Sequence, residues 1–247
     1  MHVLDREAPL PDRVEAYAPG PTGAVDLYAA VGASRGGVIL LHGGFWRAAY
    51  DRTHLRPLAV GLAGAGYDVA LPEYRRVGDT GGGIPGTVDD VGEILRCVPR
   101  MLGCARSDVN IVGHSAGGHL AMLAAAAVLE PPARVVSLAG VLDISAANDA
   151  KLSNHAVADL LGDRTPSDAL LATIDTMTLP LPRCDIFLVH GENDGDVPVE
   201  YSRSYAGRST SIALDVVSNS DHYNVIDPES DAFASLLYAL RPRRPEN

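Results

Sequence analysis

The sequence has few cysteines, no long apolar run and no excess of basic residues. Its three cysteines are an odd number and form no C-x-x-C pair, so we expect reduced thiols in a cytoplasmic protein and no disulfide framework or zinc site. No uninterrupted apolar run approaches the ~20 residues of a membrane span, and the N-terminus lacks the basic start and apolar core of a signal peptide. With 20 basic and 31 acidic residues, the formal net charge is −11. A negative surface repels phosphate backbones and anionic lipid, so neither nucleic acid nor a membrane is an expected partner.

The composition is that of an ordinary globular protein. Hydrophobic residues make up 47% of the 247 residues and charged residues 21%, which argues against extended disorder. No segment repeats with a period of about 20–50 residues, which excludes solenoids and propellers. Since no linker is visible either, we predict one domain over 1–247, with a frayed tail at 241–247.

Short apolar runs alternate with helical stretches along the chain. The first two runs are joined by a turn-prone Pro-Gly-Pro-Thr-Gly segment, which predicts an antiparallel hairpin. The continuous apolar run GVILL that follows is typical of a strand buried on both faces. We predict strands at 14–18, 24–30, 37–41, 67–74, 108–113, 134–139, 185–190 and 212–218, and helices at 53–65, 87–102, 116–129, 201–207 and 231–240. This alternation predicts an α/β fold with a mainly parallel sheet and helices on both faces.

Two segments interrupt the alternation. Residues 75–86 are rich in glycine and are predicted to form a mobile loop, either a lid or a simple connector. Residues 141–181 contain helical fragments but no clear strand, and are predicted to lie over one end of the sheet as a small cap. Because ligands bind at the carboxyl ends of parallel strands, we expect both segments to border the site.

A candidate nucleophile lies in Gly-His-Ser-Ala-Gly at 113–117. The G-x-S-x-G pattern is weak alone, because the sequence contains a second copy at 32–36. A nucleophile elbow must leave a strand and enter a helix, so that the serine side chain stands above the sheet. Only the copy at 113–117 follows a predicted strand and precedes a predicted helix. We therefore predict Ser115 as the nucleophile and Ser34 as a loop residue.

A second candidate element is Leu-Leu-His-Gly-Gly-Phe-Trp, residues 40–46. Taken alone it is equally typical of a glycine turn between a strand and a helix. Combined with the elbow, it predicts an oxyanion hole, because acyl transfer needs backbone N–H groups aimed at the developing oxyanion. The predicted donors are the N–H groups of Gly44, Phe45 and Ala116. His42 is predicted to hold the loop through its ring nitrogens.

The chain order of such a site is serine, acid, histidine. That order leaves His155, His190 and His222 as candidate bases, and only His222 follows the last strand and precedes a further helix. The acid should lie in the loop after the preceding strand, where Asp194 and Asp196 both qualify by position. His190 ends a strand and is predicted to make structural hydrogen bonds.

With Ser115, Asp194 and His222 in this order, the sequence resembles the serine hydrolases of the α/β-hydrolase superfamily. HGENDGDVP is similar to the H-G-x-x-D-x-x-V-P acid loop of that superfamily, whose aspartate falls on Asp194 and favours it over Asp196. HGGFW together with GHSAGGHL resembles kynurenine formamidases (arylformamidases) and the small esterases of the hormone-sensitive-lipase-like branch. The resemblance runs from about residue 37 to 240. It implies an eight-stranded sheet, a small cap, and catalysis without a metal or organic cofactor.

These features predict a serine hydrolase that cleaves a small carboxylic ester or an aryl formamide through an acyl-enzyme. Phe45 and Trp46 offer an apolar surface for an acyl or aryl group, although packing of the loop would explain them equally well. Short acyl groups, formyl to butyryl, are expected. An acyltransferase or a small peptidase would use the same triad, and a non-catalytic ligand receptor of the same fold is the alternative from another class. The sequence leaves a homodimer open.

Overall fold

A computed structural model describes residues 3–241 and contains one eight-stranded sheet with helices on both faces. The strands are β1 (Arg13–Ala16), β2 (Ala24–Tyr28), β3 (Gly37–Leu41), β4 (Asp68–Pro72), β5 (Val109–His114), β6 (Arg134–Leu138), β7 (Asp185–Gly191) and β8 (Ile212–Val217). The helices are α1 (Arg56–Gly64), α2 (Gly86–Met101), α3 (Ala116–Ala127), α4 (Ile144–Asp149), α5 (Leu152–Leu161), α6 (Asp168–Leu171), α7 (Glu200–Ala206) and α8 (Asp231–Ala239). The predicted tail lies outside the described residues except for Arg241.

The strand order is β1-β2-β4-β3-β5-β6-β7-β8. β1 pairs with β2, and β2 with β4, in antiparallel fashion, whereas all other pairs are parallel. The predicted hairpin and the mainly parallel α/β sheet are therefore confirmed. Among the described residues, no helix is long and apolar enough to cross a membrane.

The alternation of side chains along the strands divides the core into two layers. In β3, Ile39 and Leu41 face the layer that contains α2, α3 and α7, whereas Val38 and Leu40 face the layer with α1 and α8. Every residue of β3 and β5 is buried, as is typical of central parallel strands and as the continuous apolar run of β3 predicted. In the β3–β5 register, Leu41 pairs with Gly113. The loop after β3 and the turn after β5 therefore begin side by side.

The two interrupting segments differ in structure. Residues 141–181 contain α4, α5 and α6 and no strand. Residues 75–86 form a loop that arginines fix to the body of the protein. Arg75 forms a salt bridge with Asp90 of α2 at 2.6 Å, and Arg76 forms one with Glu73, just after β4, at 3.0 Å. Its conformation therefore depends on more side-chain contacts than its glycine content suggested.

Candidate active site

Ser115 lies in the turn between β5 and α3. Its backbone has φ +54° and ψ −118°, a left-handed conformation that costs a non-glycine residue roughly 1–3 kcal/mol. The turn also requires Gly117, because a Cβ there would lie 2.3 Å from the carbonyl oxygen of Leu41. The hydroxyl of Ser115 is buried and has no hydrogen-bond partner within residues 3–241. The strained strand–turn–helix geometry is that of a nucleophile elbow.

The second G-x-S-x-G segment has a different environment. Ser34 lies in an exposed loop before β3, and its hydroxyl donates a hydrogen bond to the Asp68 carboxylate at 2.5 Å. No helix follows it. The local structure therefore explains Ser34 as a loop residue.

The loops after β7 and β8 bring a carboxylate and an imidazole together. The Nδ1 of His222 lies 2.7 Å from Oδ2 of Asp194, although the two residues are 28 positions apart. The other carboxylate oxygen, Oδ1, accepts the backbone N–H groups of Asp196 at 2.9 Å and Val197 at 2.7 Å. It is therefore Asp194, and not Asp196, whose carboxylate contacts the ring.

The charge on Asp194 is stabilised by donors on several sides. Burial alone would raise the pKa of this carboxyl, but hydrogen bonds from His190 and His222 hold it well below its usual value. The Nε2–H of His190 is shared between Oδ2 of Asp194 at 3.1 Å and the carbonyl of Val197 at 3.0 Å, while its Nδ1 accepts the Ser202 hydroxyl. An ionised Asp194 requires His222 to carry its proton on Nδ1. The Nε2 of His222 is then free to accept a proton.

His42 holds the candidate oxyanion loop, residues 40–46, in place through contacts with the residues that follow β4. The Nε2 of His42 lies 2.7 Å from the Glu73 carboxylate, and its ring stacks on Tyr74 at 4.3 Å between centroids. The Tyr74 hydroxyl also donates to the His42 carbonyl at 2.7 Å. His42 therefore has the structural position predicted for it. Its partner Glu73 was not identified from the sequence, where nothing links positions 42 and 73.

Two backbone N–H groups of this loop are available to bind a ligand. Within residues 3–241, no hydrogen-bond acceptor faces the N–H groups of Gly44 and Phe45. Ala116 is the first residue of α3, where an N–H has no intrahelical acceptor. Gly44 and Phe45 have φ of +108° and +52°, so the loop turns sharply beside the elbow. The three groups can serve as donors to an oxyanion.

A cavity of about 230 Å³ opens beside the Ser115 side chain and is also lined by His222. Its further walls come from the N-terminal segment, the loop after β3 and the turn after β8, with Leu4, Phe45, Tyr50, His54 and Tyr223 as the principal side chains. Neither 75–86 nor 141–181 contributes to it. The reason is the length of the connection after β3, which itself folds over the carboxyl end of the sheet. No motif contains Leu4, Tyr50, His54 or Tyr223, so these cavity residues could not be predicted from the sequence.

Phe45 and Trp46 have opposite environments. Phe45 lines the cavity, whereas Trp46 is completely buried and packs edge-on against His119 of α3 at 5.3 Å between ring centroids. We expected Trp46 to contact the substrate, but its buried side chain does not reach the cavity. Its large apolar side chain fills the space between the loop and α3, which supports the loop from inside the core.

His114 is a further residue of the site. Chain order had excluded it as the catalytic base, because it precedes Ser115. Its Nε2–H donates to the carbonyl oxygen of His222 at 3.0 Å, and the two rings lie 4.6 Å apart. Burial, followed by the proximity of His222, holds the pKa of His114 well below its usual value. A neutral His114 therefore holds the turn that carries His222.

Within residues 3–241, no cluster of three or more histidine, cysteine, aspartate or glutamate side chains has an arrangement that could hold a metal ion. The three cysteines are free thiols, and each is partly exposed.

The sheet order, the elbow and the loops after β7 and β8 define an α/β-hydrolase fold. The family model BD-FAE matches residues 25–208, and the chain belongs to this family. No curated protein sequence matches it significantly.

Several solved esterase structures share the fold. A truncated carbohydrate esterase from gut microbiota has a TM-score of 0.76 at 19% identity, covering 92% of this chain and 93% of that one. Esterase B from Lactobacillus rhamnosis has a TM-score of 0.70 at 22% identity, covering 95% and 86%. A propionate-bound thermophilic esterase from Thermogutta terrifontis has a TM-score of 0.69 at 19% identity, covering 92% and 90%. At these identities the similarity establishes the fold.

Proposed function

We propose that this protein is a serine hydrolase that cleaves small carboxylic esters through an acyl-enzyme intermediate. The observation that carries the proposal is the 2.7 Å contact of Asp194 with His222, which lines the same cavity as Ser115. A carboxylate, an imidazole and a hydroxyl in this order form a charge-stabilised base next to a nucleophile. Family membership and the esterase neighbours support the same chemistry.

In the proposed mechanism, Nε2 of His222 takes the proton of the Ser115 hydroxyl as its oxygen attacks the ester carbonyl. The N–H groups of Gly44, Phe45 and Ala116 stabilise the oxyanion of the tetrahedral intermediate. His222 then donates its proton to the leaving alcohol, and the acyl group stays on Ser115. Water, deprotonated by His222, releases the acid and restores the serine.

Among residues 3–241 the hydroxyl of Ser115 has no hydrogen-bond partner, so we propose that its hydrogen bond to His222 forms during the reaction. Catalytic hydrogen bonds are often long or poorly aligned without substrate. Both residues line the same cavity, as this hydrogen bond requires.

The cavity favours small substrates. A volume of about 230 Å³ lies below the ~300–1,000 Å³ of drug-sized ligand sites, and Phe45 gives it an apolar wall. We therefore propose formyl to butyryl as the acyl group. Cleavage of an aryl formamide rests on the sequence resemblance alone, so N-formylkynurenine belongs in the substrate panel beside the p-nitrophenyl esters.

The direct test is Ser115→Ala, with Ser34→Ala as the matched control from the other G-x-S-x-G segment. Ser115→Ala should retain only the ~10³–10⁴-fold catalysis over water that the oxyanion hole and binding supply, whereas Ser34→Ala should have wild-type kcat. A fluorophosphonate should label Ser115 in the wild type, detected by mass spectrometry. Near-wild-type turnover of folded Ser115→Ala would reject the proposal.

Transfer to an acceptor other than water uses the same residues. Adding an alcohol or amine to the assay and measuring the new ester or amide against free acid separates an acyltransferase from a hydrolase. A receptor of this fold would show neither product.

A further inference from the structure

His54 is a histidine in the cavity wall that the proposed mechanism does not use. It belongs to a short 3-10 helix, Arg52–Leu55, in the connection between β3 and α1. His54 is one of the residues that line the cavity of Ser115 and His222. This polar side chain lies in a wall that is otherwise largely apolar or aromatic, formed by residues such as Leu4, Phe45 and Tyr50.

The hydrogen bonds of His54 fix its tautomer. Its Nδ1 lies 2.6 Å from the carbonyl oxygen of Asp51, and a carbonyl oxygen can only accept, so Nδ1 carries the proton. In a neutral imidazole the other nitrogen is then an acceptor. Within residues 3–241, Nε2 of His54 has no hydrogen-bond partner.

The ring is also neutral. Burial, followed by the nearby ring of His42, lowers the pKa of His54 to about 4, and this outweighs the opposite effect of the bond to Asp51. The rings of His42 and His54 are 5.8 Å apart. At neutral pH this residue of the cavity wall therefore carries an uncharged acceptor that is fixed in orientation and has no donor within residues 3–241.

From this geometry we propose that His54 selects substrates that carry a free hydroxyl group besides the scissile ester, by accepting the hydrogen bond of that hydroxyl at Nε2. The inference rests on the proposed ester hydrolysis and specifies its substrate class. A substrate with the hydroxyl gains a hydrogen bond. A substrate with a methyl group in its place covers the acceptor and leaves it without water or a donor, which is unfavourable.

The test uses pairs of esters that differ by a hydroxyl in place of a methyl group. One pair carries the difference in the alcohol (hydroxyethyl butyrate and propyl butyrate), and the other in the acyl group (ethyl glycolate and ethyl propionate). The measured quantity is the ratio of kcat/KM within a pair, compared between wild type and variant, so that intrinsic reactivity cancels. For at least one pair, the preference for the hydroxyl should fall about three- to tenfold when the Nε2 acceptor is removed.

Two variants separate the acceptor from the structural bond to Asp51. In His54→Asn the amide nitrogen can take the place of Nδ1 and donate to Asp51, but nothing replaces Nε2. In His54→Gln the longer side chain places an acceptor near Nε2 and loses the bond to Asp51. We expect His54→Asn to lose the preference with little change in Tm, and His54→Gln to keep much of the preference with a lower Tm.

The opposite order, with the preference intact in His54→Asn, would overturn the proposal, and so would an equal loss in both variants. Binding of each pair to Ser115→Ala, measured by calorimetry, separates this outcome from failure of the hydrolase proposal. Absent hydrolysis in the wild type with a His54-dependent binding preference would reject the proposed function alone. Hydrolysis with an unchanged preference would reject the role of His54 alone.

Discussion

Replacing Asp194 by asparagine keeps the shape of the side chain and changes one carboxylate oxygen to an NH₂ group. The backbone N–H groups of Asp196 and Val197 point at Oδ1, so the remaining oxygen of asparagine should stay there. The amide nitrogen then takes the place of Oδ2, which lies 2.7 Å from Nδ1 of His222 and 3.1 Å from Nε2 of His190. In the wild type, Nδ1 of His222 and Nε2 of His190 both donate a hydrogen to this oxygen. In Asp194→Asn these two N–H groups would therefore face another N–H donor.

The conflict is relieved when His222 moves its proton from Nδ1 to Nε2. Nε2, the proton acceptor of the proposed mechanism, then carries a hydrogen and cannot accept the serine proton. For a triad with the wrong tautomer, the expected loss in kcat is about 10⁴-fold. At 1.36 kcal/mol for each factor of ten, this corresponds to about 5 kcal/mol of lost transition-state stabilisation.

The assay is kcat on p-nitrophenyl acetate for Asp194→Asn and for the control Asp196→Asn, with Tm measured for both. The control should lose less than about tenfold in kcat, because no hydrogen bond joins the Asp196 carboxylate to His222 among the described residues. A reversed order would make Asp196 the acid. A loss below tenfold in a folded Asp194→Asn would refute the tautomer argument.

Three further outcomes are expected. Gly43→Ala places a Cβ 2.9 Å from the Cβ of Ser115 and should lower kcat about 100-fold. Gly64→Ala in α1, with nothing within 4 Å, should leave kcat unchanged, and equal kinetics of the two variants would contradict the steric argument. Glu73→Gln removes a carboxylate 3.0 Å from buried Arg76 and should lower the free energy of unfolding by about 2 kcal/mol in urea melts. Burial raises the pKa of Glu73, but its hydrogen bond with His42 and its ion pair with Arg76 lower it overall. The stability difference should therefore be full above about pH 4.3 and shrink as the pH falls through the folded-state pKa, and a constant difference would reject this reasoning. Across p-nitrophenyl esters, kcat/KM should be highest for a short acyl group, and a maximum at octanoyl or longer would reject the small cavity.

The parts of the fold that depend on neighbouring residues could be predicted from the sequence. The continuous apolar run of β3 favours a strand buried on both faces, because five residues are too few for a typical buried helix. Part of the elbow at Ser115 is local as well, because a Cβ at Gly113 would lie 2.1 Å from the carbonyl oxygen of Gly117, only four positions away. The hairpin and the α/β alternation followed from the same kind of short-range pattern.

Position in the sequence did not distinguish Asp194 from Asp196 as the acid. Only the resemblance to the acid loop favoured Asp194, and the physical reason for it lies in the tertiary structure. The two carboxylates are only two positions apart, and what separates them is the turn in which Oδ1 of Asp194 accepts two backbone N–H groups. That turn directs Oδ2 toward His222. Likewise, the partnership of Glu73 with His42 depends on β3 and β4 being neighbours in the sheet.

The cavity was decided by the tertiary structure alone. Its walls combine Leu4, the 44–54 connection and the turn at 222–223, segments that are distant in sequence and meet only because the strand ends converge. Trp46 and Phe45 are adjacent in sequence, yet one fills the core and the other lines the cavity. Sequence patterns fix which residues prefer burial, but the direction of each side chain in an irregular loop depends on the space that the rest of the fold leaves for it.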